Sequence, residues 1–441
     1  MTDEYENVTP AVAPVPIPVT RLKWTRLLEN GSAPPSGVAV APDGTVVVGY
    51  SVPNAAPLKV AAVVEAFRPD GGVIWKNSTL ARAVRSGPIV RSTTVFTSHA
   101  GQAPVIIQQI VRTKLADGTV GVQCSNDTWG FFGDMAVMST GSGENAAAVS
   151  TNGDLIGGGP SALSCSMVSC FSSFQQDSEH PTVVIAGDVA LVGSDQHDQV
   201  FKVGIDGGAF SLPDSIWTTP LNPKSLFVTG AVAGGGGQGP AVGGVMAFNF
   251  TGDLYGTSPS DTSAGSWGAA VLAIVNGSAW AYQGTFEHIS RVRVSPTVSS
   301  VQLDSRVASA QIPAVAFSDH SPLVGRGGRL FVIGNDGAVR AFDLATLGER
   351  WRWDGTLGLS SELNLDINRD APQPCAAGQP GVLYVVAFSA SGWHAGTPDT
   401  RLYAVLVDSA GLERAAPWPR HQHDPGSTGN STTSLVPYTC P

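Results

Sequence analysis

The chain has 441 residues, 42% of them hydrophobic and 14% charged, and its 25 basic and 35 acidic side chains leave a formal net charge of −10. That balance supplies enough apolar material for a core, which excludes a disordered chain. It also offers no run of Lys or Arg along which nucleic acid could lie. The 52 Gly and 31 Pro would destabilise long helices by about 1 and 3 kcal/mol per residue relative to Ala, but they suit short strands joined by tight turns.

Residues 1–19, rich in Pro and Val without periodicity, read as an extended arm, and residues 20–441 as a single domain. The start is acidic where a secretory signal would be basic, so the chain is expected either to have lost a leader or to be intracellular. Apolar runs such as Val382 to Phe388 stop well short of the roughly 20 residues that a membrane-spanning helix needs. An orphan strand, Leu22 to Leu28, comes first. Next, Val38 to Val48 forms a strand, an Asp43-Gly44 turn and a second strand, and Val63 to Phe67 leads through Asp70-Gly71 to Trp75. Asp-Gly supplies the positive φ angles of a two-residue hairpin turn.

Weaker copies surround Asp117-Gly118, Asn152-Gly153, Asp206-Gly207 and Thr251-Gly252. Gly234 to Gly239 has neither the Lys-Ser/Thr of a phosphate loop nor a helical continuation, and reads as a flexible loop. The clearest copy runs from Leu330 to Asp343 and ends at Trp351. The last strands are Val382 to Val386 and Leu402 to Leu406, followed by Ser409-Ala410-Gly411. Trp24, Trp75 and Trp129 recur at about 50 residues, the length of a four-stranded blade with its loops. Each such unit alone would expose two apolar faces, and radial stacking buries both. The expected fold is an all-β propeller of seven four-stranded blades, with eight as the alternative, its last blade completed by Leu22 to Leu28.

The repeats resemble those of the pyrroloquinoline-quinone-like, or quinoprotein-dehydrogenase-like, β-propellers. Trp418-Pro419 through Asp424-Pro425 to Thr428-Gly429 resembles the W-P-x-x-x-x-D-P-x-x-T-G signature found beside such repeats. The family includes quinone- and calcium-dependent dehydrogenases and non-catalytic scaffolds, so the resemblance implies a fold more firmly than a reaction. The adjacent cysteine pair that commonly covers the quinone in the enzymes is missing, which points to the non-catalytic branch.

Asp366, Asn368 and Asp370 have the alternating oxygen spacing of a calcium loop but lack its Gly and distal Glu, so a solvated polar loop is the competing reading. Asp195-Gln196-His197-Asp198 reads as a turn before a strand. Asp319-His320-Ser321-Pro322 reads as a blade entry, because adjacent strand residues point to opposite faces. His421 and His423 fall in the signature, where Asp424 and Thr428 are expected to satisfy backbone groups. Of the ten Trp, those at blade spacing are expected to pack between sheets, leaving Trp267, Trp393 and Trp353 as exposed candidates. Cys375 and Cys440 are placed to staple the terminal tail by a disulfide, one of several pairings open to five cysteines. The N-x-S/T pattern occurs at Asn7, Asn30, Asn77, Asn126, Asn249, Asn276 and Asn430, half of the chain's 14 Asn, as in a secreted glycoprotein.

The functional expectation is a scaffold or binding module, extracytoplasmic, with no cofactor required, calcium as the candidate ion, and a protein or glycan partner within a larger assembly. Its candidate contact loops are 157–177 and 229–268. The competing expectation is a quinone- or metal-dependent enzyme using the central funnel.

Overall fold

In the computed structural model every regular element of the described residues is a β-strand. The structure describes residues 21–28, 37–53, 60–80, 82–84, 86–101, 108–126, 132–140, 143–150, 154–157, 166–169, 182–193, 199–206, 209–211, 214–218, 223–229, 232–237, 244–249, 254–259, 271–284, 288–294, 309–311, 321–334, 336–355, 359–360, 363–371, 374, 379–388, 400–420, 423–424, 427–428, 430, 433 and 435.

The strands form eight antiparallel sheets. The first sheet holds Val38–Val40, Val46–Pro53, Val60–Phe67 and Val73–Leu80. The second holds Arg82–Val84 and Ile89–Arg91, then Thr94–Gly101, Gln108–Lys114 and Val120–Asn126. Phe132–Thr140, Gly143–Ser150, Asp154–Gly157 and Ser166–Ser169 make the third, and Thr182–Ala186, Val189–Gly193, Gln199–Asp206, Ala209–Phe210 and Asp214–Thr218 the fourth. The fifth comprises Pro223–Thr229, Val232–Gly237, Gly244–Asn249 and Leu254–Pro259, and the sixth Val271–Val275, Ser278–Gly284, His288–Val294 and Ser309–Gln311. Leu323–Gly325, Arg329–Ile333, Val339–Asp343 and Glu349–Trp353 form the seventh.

The eighth sheet is built from both ends of the domain. Leu359–Ser360 and Asn364–Ile367 pair with Gly381–Phe388, which pairs with Thr400–Val407. The outer strand is Arg21–Leu28, running antiparallel to Thr400–Val407 from Arg21 opposite Leu406 to Leu28 opposite Thr400. The N-terminal strand therefore takes the place expected for it.

The sequence spacing favours seven units with eight as the alternative, and the described residues form eight sheets. The fifth departs most from the repeat pattern. Gly234 to Gly237 form part of a strand paired on one side with Leu226 and Phe227 and on the other with Val245, Met246 and Ala247. This corrects the reading of that stretch as a loop, and with it the reading of 229–268 as a contact loop. Glycine is depleted in strands because it brings no side chain to pack, yet its N–H and C=O complete a ladder as well as any residue's.

Sheet faces explain why the strands look continuously apolar. In Val46–Pro53, Val46, Val48 and Tyr50 pack toward the eighth sheet, whereas Val47 packs toward the second. Side chains alternate between faces, so a strand covered on both sides needs apolar residues at every position. Equivalent clusters join the second sheet to the third, the third to the fourth, the sixth to the seventh and the seventh to the eighth. Burying each such Val, Leu, Ile or Phe contributes about 1.5–3 kcal/mol.

Tryptophan adds a polar lock to several of these interfaces. The Trp24 indole N–H donates to the Pro69 carbonyl at 2.8 Å, that of Trp75 to the Leu115 carbonyl at 2.6 Å, and that of Trp351 to Asp408 Oδ1 at 2.8 Å. Each acceptor lies in a turn of the following sheet, counting the first as following the eighth. The turn glycines leave room for the rings: a Cβ on Gly118, at φ +73, would lie 2.9 Å from Trp75. Gly118→Ala is expected to lower stability by about 2–4 kcal/mol, combining left-handed strain with displacement of the ring. Gly277→Ala, at φ +75 but with nothing within 4 Å, should lose only the strain, about 1–2 kcal/mol. Urea unfolding of both variants compares the two, and equal losses would discount the packing role.

Candidate functional site

The most polar buried region begins where the eighth sheet ends. After Val407 the chain turns at Ser409 and Gly411 and does not form an outer strand. Instead, Leu412 bridges Gly325 of the seventh sheet, Trp418 bridges Leu272 of the sixth, and Asn430 bridges Ile185 of the fourth. Val324 N donates to Pro419 O at 2.6 Å, Leu272 N to Trp418 O at 2.8 Å and Val137 N to Thr428 O at 2.7 Å. The Asn430 amide donates to Val137 O at 2.7 Å, and the Ser427 hydroxyl reaches Val38 O at 3.4 Å. The segment thus touches the strand that comes first in chain order in the first, third, fourth, sixth and seventh sheets, using its own backbone and short polar side chains.

Its side chains are packed as a core. Trp418 and Arg420 are each 1% exposed, and His423, Asp424 and Thr428 are buried. Arg420 Nη1 donates to Asp424 O at 2.7 Å and to Ser427 Oγ at 2.8 Å. Asp424 Oδ2 accepts from the hydroxyls of Thr428 and Thr433, and His423 Nδ1 stands 3.6 Å away. The His423 ring lies 4.5 Å from that of Trp418. Low dielectric makes such a network worth much when complete and expensive when broken. Sequence reasoning placed Asp424 and Thr428 in a compact turn and missed the route across the sheets. The available signal was the end of strand alternation after Val407 together with a continuing supply of Trp, Pro and small polar residues.

The residues marked for calcium lie beside the N-terminal strand. Asp366 Oδ2 is 3.2 Å from Arg369 Nε. Lys23 Nζ is 2.6 Å from Asp370 Oδ2 and donates to Asn368 Oδ1 at 3.3 Å. Two cations of the chain itself occupy the positions that would balance these oxygens, and Lys23 and Arg369 were not singled out in the sequence. No group of three or more His, Cys, Asp or Glu suited to a metal ion is found among the described residues.

Trp353 packs edge-on against Tyr403 of the eighth sheet at 5.8 Å, and Ser321 is buried just before Leu323–Gly325, as a blade entry should be. Asp195 to Asp198, Asp319, His320, His421, Trp129, Trp267, Trp393, Cys375 and Cys440 lie outside the described residues. Contact loop 157–177 does so too, except for Gly157 and the strand Ser166–Ser169.

The acidic residues of the turns serve the backbone. Asp43, Asp70 and Asp117 each accept from the N–H two residues on, at 2.8–2.9 Å. Asp343 accepts from Thr346 and from Arg350 at 2.5 Å, and the Arg350 hydrogen bond is the main cause holding its carboxyl down at about 2. Because the folded value lies below the unfolded one, this stabilisation is complete above about pH 4 and disappears as pH falls through about 2. Asp343→Asn should therefore be less stable than wild type at pH 7, with the difference closing toward pH 2. Urea midpoints across that range test this, and a difference independent of pH would contradict it. In the sixth sheet, burial pushes the Tyr282 hydroxyl up to about 12 while it donates to Leu344 O at 2.8 Å in the seventh.

No family model matches the chain, and no curated protein matches it in sequence. Solved structures match it over most of its length. BamB from Moraxella catarrhalis superimposes at a TM-score of 0.55 with 11% identity, covering 88% of this chain and 100% of that one. The fold is propeller-like. Chaetomium thermophilum Sqt1, solved bound to the N-terminus of the ribosomal protein L10, matches at 0.55 and 13% identity over 86% of this chain and 98% of its own. A europium-containing methanol dehydrogenase matches at 0.51 and 11% over 88% and 93%. At these identities the propeller-like fold is shared by a protein solved bound to a partner segment and by a dehydrogenase alike, and function has to be argued from the site.

Proposed function

We propose that the chain is a non-catalytic binding module: an eight-bladed closed ring whose axis is filled by the described residues between Leu412 and Thr433 and whose connecting loops dock another protein. The observation that carries this reading is the route of that segment. The blades of a propeller surround a central channel, and here the segment runs along the strand that comes first in chain order in five of the eight sheets. A funnel enzyme would need that space for substrate and cofactor, whereas Trp418, Arg420, His423 and Asp424 are packed into it.

A rigid disc with a closed axis offers its loops for recognition. Connections 158–165 and 295–308 join the third and fourth strands of the third and sixth sheets, where the first, second and seventh sheets use short turns. They are the contact loops of this reading, and the Sqt1 complex supports a peptide or protein as the partner. Replacing both loops with short Gly-Ser turns is expected to abolish capture of the native partner, identified by crosslinking in the source cells, while leaving the unfolding midpoint within about 0.5 kcal/mol of wild type. Unchanged capture would overturn the loop assignment. A stoichiometric chromophore or metal in protein purified from its source would overturn the binding-module reading and favour the enzyme.

A further inference from the structure

We infer that Asn276 is a site of spontaneous chemical modification, converting through a cyclic imide to aspartate and isoaspartate in the folded protein. Asn276 and Gly277 are the two residues of the turn between Val271–Val275 and Ser278–Gly284, with Val275 paired to Ser278. Both have positive φ, 52° and 75°, the signature of a type I′ turn. Asn276 is exposed, and its amide makes no hydrogen bond among the described residues. The residue that follows carries no side chain, and nothing lies within 4 Å of where a Cβ on Gly277 would be.

The reaction needs only these groups and water. The Gly277 backbone nitrogen, losing its proton to hydroxide, attacks Cγ of Asn276. A new N–C bond forms, the Cγ–Nδ2 bond breaks, and ammonia leaves with a proton from solvent. Water then opens the imide at either carbonyl. One opening restores the ordinary backbone with a carboxylate side chain, and the other routes the main chain through Cβ and adds a methylene to it. Each product is one dalton heavier than the starting amide.

Two other asparagines followed by small residues provide internal controls. The Asn77 amide donates to Gly118 O at 2.6 Å, and Asn430 is buried and donates to Val137 O at 2.7 Å. Neither can swing its Cγ onto the next peptide nitrogen without breaking an inter-sheet bond, and both are followed by serine, not glycine. The two products at Asn276 should also differ in consequence. Aspartate tolerates the left-handed conformation, as asparagine does. Isoaspartate lengthens a two-residue connection whose register places Val271, Leu272 and Ala273 in the core, and a change in register moves side chains to the wrong face.

The test is to hold the intact protein at mildly alkaline pH and follow peptide masses, using isoaspartyl methyltransferase to label the isoaspartate. The peptide holding Asn276 should gain one dalton and methyl label at least ten-fold faster than those holding Asn77 or Asn430, and faster still as pH rises. Gly277→Ala should slow the gain several-fold, and Asn276→Asp should abolish the one-dalton mass gain while remaining folded by circular dichroism, since an aspartate that closes and reopens the imide returns to its starting mass. If the peptides holding Asn77 or Asn430 convert as quickly in the folded protein, or if the Asn276 peptide keeps its mass while the unfolded chain converts, the assignment fails.

Discussion

Trp24→Ala is expected to lose about 2–4 kcal/mol of stability, an effect disproportionate to a residue on the outermost strand of a sheet. Trp24 acts at the joint between the two ends of the domain. Its ring lies 5.9 Å from that of Tyr384 in the eighth sheet and 6.5 Å from that of Phe67 in the first. Its N–H donates to Pro69 O, and its face covers Gly71, where a Cβ would approach it to 2.8 Å. Truncation therefore removes packing from two sheets and leaves the turn of the first without its cover. Leu27→Ala, on the same strand but 61% exposed, should change stability by no more than about 0.5 kcal/mol. Deleting residues 21–28 goes further, baring the backbone edge of Thr400–Val407. That edge then becomes a template for pairing with other chains, so the deletion should produce oligomers visible by light scattering as well as a lower unfolding midpoint. If Trp24→Ala and Leu27→Ala behave alike, or if the deletion stays monomeric and fully stable, the N-terminal strand is an ornament and not a closure.

The outer closure was legible in the sequence because Leu22 to Leu28 carried a Trp at repeat spacing while lacking the strands that precede it in other units. The turns at Asp43-Gly44, Asp70-Gly71 and Asp117-Gly118 were readable in place but not in type: each glycine occupies a positive φ that other residues avoid, but the Asp before it does not, so these are connections longer than the two-residue turn expected. The glycine strand of the fifth sheet was hidden for a physical reason. Strand signals come from side chains, and Val232–Gly237 presents four glycines in a row, so a ladder held by backbone groups left no pattern to detect. Lys23, beside the residues marked for calcium, was illegible for a different reason. Spacing within Asp366 to Asp370 reports local geometry, but Lys23 arrives from the other end of the chain, and no local pattern encodes that meeting. The signature around Trp418 was seen as a motif and not as a path, because the partners that define its course are backbone groups of five separate sheets.

That path carries the larger of the two expected effects. Trp418→Ala should cost about 3–5 kcal/mol, since the side chain is among the largest of the fully buried set and sits beside Leu272, with the His423 ring tilted against its own. Asp424→Ala should cost about 2–4 kcal/mol by another route, leaving the buried Thr428 and Thr433 hydroxyls without their shared acceptor. Asp424→Asn, which keeps an acceptor oxygen at the same place, should recover part of that loss, and the recovery separates a hydrogen-bonding role from mere space filling. Because Trp418 and Asp424 belong to one packed network, the double variant should lose less than the sum of the single losses. Unfolding monitored by amide exchange should place Val137, Leu272 and Val324, which donate to this segment, among the amides that gain exchange rate in each variant. Were those amides to remain protected while stability fell, the loss would lie elsewhere, and the segment would be a passenger in the channel and not what holds the inner strands together. Protection lost at all three would instead show that one segment, leaving the eighth sheet after Val407, ties the inner edges of distant sheets just as Arg21–Leu28 ties the outer edge.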